Sequence, residues 1–339
     1  MKTFINFYLP SLAIVGLLFL SCSKDDVPAP PPQDACDNKS IIMLSTDYNN
    51  NPSTGIEYIG YDLNSPIQGP GMPVGSHANT SNLKLIMPPN SSIYSKSDKL
   101  HGVIINEVYY SFDLNNFTTT ENTIAPEMVA PVISGNNAYI IEMVTPYPNM
   151  GESASFEIRE FSPLNGNIGN ALPISANEKS FVNNSSFHRE IISSASNGSD
   201  ELYFIGATNL LIVNTSSNTA SHVDLYPSFT WDNWMTFQGL EYSESLGLLA
   251  TRKNSINQFD IVQIDPHSGT FTELVTIPGN LNTEFYSTTY NECTKTFYIT
   301  TLNTSDWSAD YYEINLNNNS ISNTQNFSNY TYGLEVIDN

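Results

Sequence analysis

Short apolar runs recur along the chain, and each ends in a cluster of Asn, Gly or Ser. They read Ile41-Ile42-Met43-Leu44, Val103-Ile104-Ile105, Ala138-Tyr139-Ile140-Ile141, Leu202-Tyr203-Phe204-Ile205, Gly247-Leu248-Leu249-Ala250 and Phe297-Tyr298-Ile299-Thr300. Three or four residues, mostly apolar and largely β-branched or aromatic, between turn formers predict buried strands, and no stretch holds a long helical period. A second, more polar strand follows each run: Tyr58–Leu63, Tyr109–Leu114, Phe156–Pro163, Leu210–Thr215, Asp260–Pro266 and Tyr311–Leu316.

The polar residue closing that second strand falls at Asp62, Asp113, Ser162, Asn214, Asp265 and Asn315, at intervals of 51, 49, 52, 51 and 50 residues. A turn comes next, for example Leu164-Asn165-Gly166-Asn167, and then a shorter strand such as Thr272–Thr276. Six units of about fifty residues, four strands each, match the blades of a β-propeller. A lone blade leaves both faces bare. A ring of blades covers them and leaves only short sheet edges.

The chain ends argue for closure. The first unit lacks an innermost strand, and the tail Tyr332-Gly333-Leu334-Glu335-Val336-Ile337-Asp338 resembles Gly239-Leu240-Glu241-Tyr242 of the fifth unit. The expectation is an all-β, six-bladed propeller over residues 37–339, with the C-terminal strand completing the first blade. The longer loops between second and third strands are expected at Thr46–Thr54, Thr145–Ser155, Lys253–Gln258 and Asn303–Ala309.

The N-terminus reads differently. Met1-Lys2-Thr3 precedes an apolar stretch, Phe4–Leu20, interrupted by Pro10 and followed by Ser21-Cys22. One basic residue, a short apolar core and a small residue before the cut describe a secretory signal. Leu20-Ser21-Cys22 resembles the lipobox of bacterial lipoproteins. That resemblance implies removal of residues 1–21 and lipidation of Cys22. Ser23-Lys24-Asp25-Asp26 is similar to the acidic export signal of Bacteroidetes surface lipoproteins, which implies an outward-facing outer-membrane protein; the alternative is a periplasm-facing one. Residues 22–36, with Pro28, Pro30, Pro31 and Pro32, then form a tether extending about 3.1 Å per residue. The only membrane contact expected is this lipid.

Charge narrows the partners. The 339 residues hold 34 Asp and Glu against 12 Lys and Arg, a net charge of −22. Nucleic acid is excluded as a partner, because its phosphates call for clustered basic residues. A glycan, a peptide or an envelope protein remains.

Cys36 and Cys293 are the cysteines besides Cys22. Two are too few for a cysteine-rich zinc site. In the propeller frame they stand at equivalent corners of the first and last blades. A disulfide between them is expected to fasten the N-terminus to the last blade.

Catalytic motifs are scarce. His77, His101, His188, His222 and His267 are isolated, without a metal-binding spacing, and Gly-x-Ser-x-Gly is missing. The carboxylates Glu241 and Glu335, from the two matching Gly-Leu-Glu segments, are candidates for a pair in the channel, as in a glycosidase. No cofactor is expected. A calcium site would draw on Asp47, Asp306 and Asp310. The aromatic crossing from Tyr226 through Phe229, Trp231 and Trp234, together with Trp307, has two readings: a stacking platform for sugar rings, or plugging of the channel and blade junctions. The functional expectation is a surface-anchored binding or scaffold module. The alternatives are an extracellular polysaccharide hydrolase or lyase using channel carboxylates, and a structural subunit of an envelope complex.

Overall fold

The computed structural model describes residues 39–46, 56–62, 72–77, 91–105, 107–116, 118–125, 128–144, 153–182, 193–206, 209–225, 237–255, 258–279, 281, 286–303, 305–306 and 308–338. These form 25 strands in six antiparallel sheets.

The first sheet holds β1 (Lys39–Thr46), β2 (Ile56–Asp62) and β3 (Met72–His77). The second holds β4 (Ser92–Ser95), β5 (Leu100–Ile105), β6 (Val108–Asp113) and β7 (Thr119–Thr123). The third holds β8 (Met128–Ser134), β9 (Asn137–Met143), β10 (Ser153–Phe161) and β11 (Ile168–Ala171), with β12 (Ser180–Val182) paired to the start of β10. The fourth holds β13 (Ser193–Ser196), β14 (Glu201–Ile205), β15 (Asn209–Asn214) and β16 (Thr219–Asp224). The fifth holds β17 (Phe237–Ser243), β18 (Gly247–Ser255), β19 (Gln258–Ile264) and β20 (Phe271–Pro278). The sixth holds β21 (Tyr286–Asn291), β22 (Thr296–Asn303), β23 (Ser308–Asn315) and β24 (Ser320–Phe327). The last strand, β25 (Tyr330–Asp338), returns to the first sheet and pairs antiparallel with β1, with Ile41 opposite Val336 and Ile42 opposite Glu335.

The chain is all-β, with antiparallel four-stranded blades arranged as a propeller. The innermost strands touch in sequence: β4 packs against β25 and β8, β13 against β8 and β17, and β21 against β17 and β25. Apolar side chains fill the spaces between neighbouring sheets. Ile41, Met43, Val103, Tyr110 and Tyr311 join the sixth, first and second sheets; Tyr109 and Phe161 join the second and third. Phe156 and Phe204 join the third and fourth, Tyr203 and Leu248 the fourth and fifth, and Phe259 and Phe297 the fifth and sixth.

Burial follows strand position. β5 is buried along its whole length, and β22 at every residue but its last. A strand covered on both faces reads as a continuous apolar run, which is the sequence signal. The outer strands β7 and β24 carry exposed Thr, Glu, Ser and Asn instead.

The polar residues that mark the repeat have a structural job. The side-chain oxygens of Asp113, Asn214, Asp265 and Asn315 each accept the backbone N–H two residues on, at 2.8–3.1 Å. These Asx turns fix the hairpin into the outer strand. Two details differ from expectation. The fifth sheet has no long second-to-third loop, because Lys253 pairs with Phe259 and Ser255 with Gln258 through a bulge. The third sheet gains β12, which no apolar run announced.

Candidate functional site

Two kinds of inner strand alternate around the channel. β8, β17 and β25 each carry a bulge where pairing shifts against the next strand, at Val129/Val132, Gln238/Glu241 and opposite Ile42/Leu44. A residue with positive φ sits in each bulge: Ala130 (49°), Gly239 (56°) and Gly333 (62°). A bulge re-aims the side chains that follow it. The residues two places on are Val132, Glu241 and Glu335.

β4, β13 and β21 pair with the next strand without a register shift and begin with hydroxyl residues. The Ser193 hydroxyl accepts the N–H of Leu240 at 2.8 Å, and Ser287 accepts that of Leu334 at the same distance. These bonds join neighbouring sheets through groups freed by the bulges. In the third sheet Pro131 has no N–H to give. Its carbonyl instead accepts the Ser194 hydroxyl at 2.8 Å, and Ser91 turns to the Ile104 carbonyl.

The six inner strands surround a cavity of about 210 Å³. Glu241 from β17 and Glu335 from β25 both line it, with Ser92, Tyr94, Ser194, Ser196, Tyr242 and Thr288. Pro131, Val132, Ile133 and Ala195 form the wall on the third- and fourth-sheet side. The two glutamates predicted from the Gly-Leu-Glu match are therefore brought together.

Their electrostatics are unequal. The Thr288 hydroxyl donates to Glu241 at 2.8 Å. Glu335 is enclosed by protein apart from its cavity side, and burial is the main cause that pushes its carboxyl up to about 8; the negative charge of Glu241 adds to the rise, and a hydrogen bond from Ser92 offsets part of it. At neutral pH Glu335 is then mostly protonated. The Tyr94 phenol is also raised, first by burial and then by Glu335. Its hydroxyl oxygen is buried with no hydrogen-bond partner. No Lys, Arg or His lines the cavity among the described residues.

His101, on β5, sits behind the site. It is fully buried, burial pushes it down to about 3, and it is hydrogen-bonded to the backbone of Gly333. It is neutral at physiological pH and supports the bulge that aims Glu335.

The remaining expectations fare variously. Asp306 accepts the Ser308 N–H at 3.0 Å, and Asp310 accepts the Asn326 amide at 2.9 Å, so both serve their own hairpin. Among the described residues no three His, Cys, Asp or Glu side chains gather as a metal site. Cys293 is disulfide-bonded, and its N–H is held by Asn291 at 2.9 Å. Cys22, Cys36, Asp47, Tyr226, Phe229, Trp231, Trp234 and Trp307 lie outside the described residues.

Sequence reasoning missed Ser92, Tyr94, Ser194 and Thr288. One signal was present: Thr288 stands 47 residues after Glu241 and 47 before Glu335. Hydroxyl residues at the midpoint of a carboxylate repeat mark the alternate blade.

No protein-family model matches the sequence, and no curated protein matches it. Solved structures do resemble the fold. TolB from Acinetobacter baumannii superposes with a TM-score of 0.55 at 11% identity, over 89% of this chain and 67% of that one. A putative 6-phosphogluconolactonase from Bacteroides fragilis gives 0.56 at 11% identity, over 89% and 99%. The periplasmic gluconolactonase of Pseudomonas aeruginosa gives 0.51 at 12% identity, over 88% and 99%. At such identities the likeness is one of fold.

Proposed function

We propose that this chain is an exported binding protein of the cell envelope, lipid-anchored at Cys22 on the outer membrane, whose six-bladed propeller takes a small ligand into its channel. Convergence of Glu241 and Glu335 in one polar cavity carries this reading. Hydroxyls and two carboxylates converging on one concave cavity offer hydrogen-bonding groups that would orient a small polar ligand. An anion is disfavoured there, since carboxylates and no cation line it among the described residues. For that reason the fold likeness to a phosphogluconolactonase is not extended to a phosphorylated substrate.

Export and anchoring rest on the lipobox-like Leu20-Ser21-Cys22, and surface exposure on Ser23-Lys24-Asp25-Asp26. The fold likeness to the periplasmic P. aeruginosa protein is in keeping with an envelope location. The partner of Cys293 in this reading is Cys36, which ties the entry of the chain to the sixth sheet.

The test is a small-molecule and glycan screen of the full chain, repeated with Glu241→Gln and Glu335→Gln. Ligands whose binding both variants weaken by tenfold or more support a channel site. Ligands insensitive to both variants refute it. A second reading is hydrolysis of an extracellular polysaccharide, favoured by a Glu335 carboxyl that burial pushes up to about 8 beside a second glutamate, Glu241, in the same cavity. Release of reducing ends from a polysaccharide panel, lost in Glu335→Gln, would establish it.

A further inference from the structure

Hydrogen-bonding side chains reach the channel cavity from five of the six inner strands: Ser92 and Tyr94 from β4, Ser194 from β13, Glu241 from β17, Thr288 from β21 and Glu335 from β25. The hydroxyl protons are committed within the protein. Ser194 donates to the Pro131 carbonyl and Thr288 to Glu241, both at 2.8 Å, and Ser92 donates to Glu335. A hydroxyl that gives its proton away is still an acceptor, and a carboxyl has two acceptor oxygens. The lining therefore accepts more hydrogen bonds than it gives, and does so from all round the ring. We infer that the ligand is a neutral polyhydroxylated ring of monosaccharide size, its hydroxyls bonded around the rim by Glu241, Glu335, Ser92, Ser194, Thr288 and Tyr94. This deepens the channel-binding reading and rests on it.

Size and charge separate the candidates. A cavity of about 150 Å³ holds a benzene ring. The 210 Å³ here suits a six-membered ring with hydroxyl substituents. An anion would meet two carboxyls and, among the described residues, no cation. A calcium ion takes six to eight oxygens. Among the described residues no third His, Cys, Asp or Glu gathers with the two glutamates, and Glu335 keeps its proton at neutral pH. An alkylammonium presents three N–H groups at one end and leaves the acceptors on the opposite strands unanswered. A sugar or cyclitol ring carries hydroxyls round its rim, and each one donates and accepts. The Tyr94 hydroxyl, buried with no hydrogen-bond partner, gains one from such a ring.

Glu335 gives the inference a pH signature. Among the described residues, the titratable groups lining the cavity are Glu335, Glu241 and Tyr242 from β17, and Tyr94 from β4; β8, β13 and β21 bring none. Ile42 of β1 pairs opposite Glu335, and neutral His101 of β5 lies behind it. A neutral ring displaces water from beside the carboxyl, and loss of water disfavours the charged form. Glu335, raised to about 8 before binding, is then held protonated to higher pH by the ligand. Affinity for a neutral ring is therefore level below about pH 8 and falls above it, by up to tenfold per pH unit. A cation shows the opposite slope, binding more tightly as pH rises towards 8.

The experiment titrates the full chain by calorimetry with D-glucose, D-galactose, D-mannose and myo-inositol, and with sodium D-glucuronate and calcium chloride, from pH 6 to about pH 9.5. At least one neutral ring is expected to bind at least tenfold more tightly than glucuronate or calcium. Its affinity should be level to about pH 8 and fall threefold or more by about pH 9.5. Glu241→Gln and Glu335→Gln, each checked for an unchanged circular dichroism spectrum, leave one acceptor oxygen where there were two. Each should weaken that ring tenfold or more, and Glu335→Gln should remove the fall with pH. Tyr94→Phe should weaken it threefold or more without lowering the thermal midpoint, because its hydroxyl has no protein partner to lose. Tighter binding of glucuronate or calcium, weakened in both Gln variants, or ring affinity that rises with pH, overturns the neutral-ring inference and leaves the channel site standing. A ring that binds both Gln variants as tightly as the parent lies outside the channel and removes both. If no probe binds, the neutral-ring inference falls, and the channel reading stands or falls with the wider screen.

Discussion

Ser287 accepts the backbone N–H of Leu334 at 2.8 Å, and this bond fastens the final strand to the sixth sheet. Ser193 holds Leu240 in the same way at the same separation of 47 residues. Both serines are essentially buried. Replacing either by Ala strands a buried N–H, at a cost of about 1–3 kcal/mol. Urea unfolding of Ser193→Ala and Ser287→Ala should show that loss in each. A change under ~0.5 kcal/mol in both would mean that the bonds do not bear on stability.

The bulge glycines should differ in tolerance. A Cβ on Gly239 would stand 2.6 Å from Thr288 Cγ2, whereas one on Gly333 would meet Val103 no closer than 3.3 Å. Both also have positive φ, which costs a non-glycine residue roughly 1–2 kcal/mol. Gly239→Ala should therefore destabilise by about 2–4 kcal/mol, with overpacking added to the backbone cost, and Gly333→Ala by about 1–2. Equal thermal shifts in the two variants would contradict this difference.

Glu335 makes stability depend on pH in an unusual direction. Its folded-state value, about 8, lies above the ordinary 4.5. The folded state thus binds more protons between those values, and stability is fully present below about pH 4.5 and declines as pH rises towards 8. The decline amounts to roughly 3–5 kcal/mol, from about 1.36 kcal/mol per unit. Glu335→Gln should remove this slope and unfold at a higher temperature than the parent at pH 9. A parent whose midpoint is flat from pH 5 to 8 would show that the carboxyl is not enclosed.

Cys293 is disulfide-bonded, and the proposed pairing with Cys36 would close a long loop. In the chain-entropy picture such a link contributes about 4–5 kcal/mol. Cys293→Ser should lower the unfolding midpoint by several degrees, and a non-reduced digest should yield a Cys36–Cys293 peptide pair. A Cys22–Cys293 pair instead would rule out lipidation of that molecule.

Much of the architecture was written in plain repeats. The strands buried on both faces are continuous apolar runs, and the Asx turns recur every fifty residues, so blade and hairpin positions were readable. The matching Gly-Leu-Glu segments pointed to Glu241 and Glu335, and in the structure each glycine has positive φ two residues before its carboxylate. β12 was not readable, since Ser180-Phe181-Val182 is only three residues long. The hydroxyl partners were hidden for another reason. Ser and Thr fill turns throughout this chain, and only the inner-strand position distinguishes Ser92, Ser194 and Thr288 from the rest.

The most direct measurement is an NMR titration of the Glu335 side-chain carboxyl, in the parent and in Glu241→Gln. A carboxyl on the closing strand, enclosed in the channel and facing a second glutamate, should titrate near pH 8 and move to lower pH when Glu241 is neutralised. Titration near 4.5 in both proteins would place Glu335 in open water and contradict the closed, carboxylate-bearing channel.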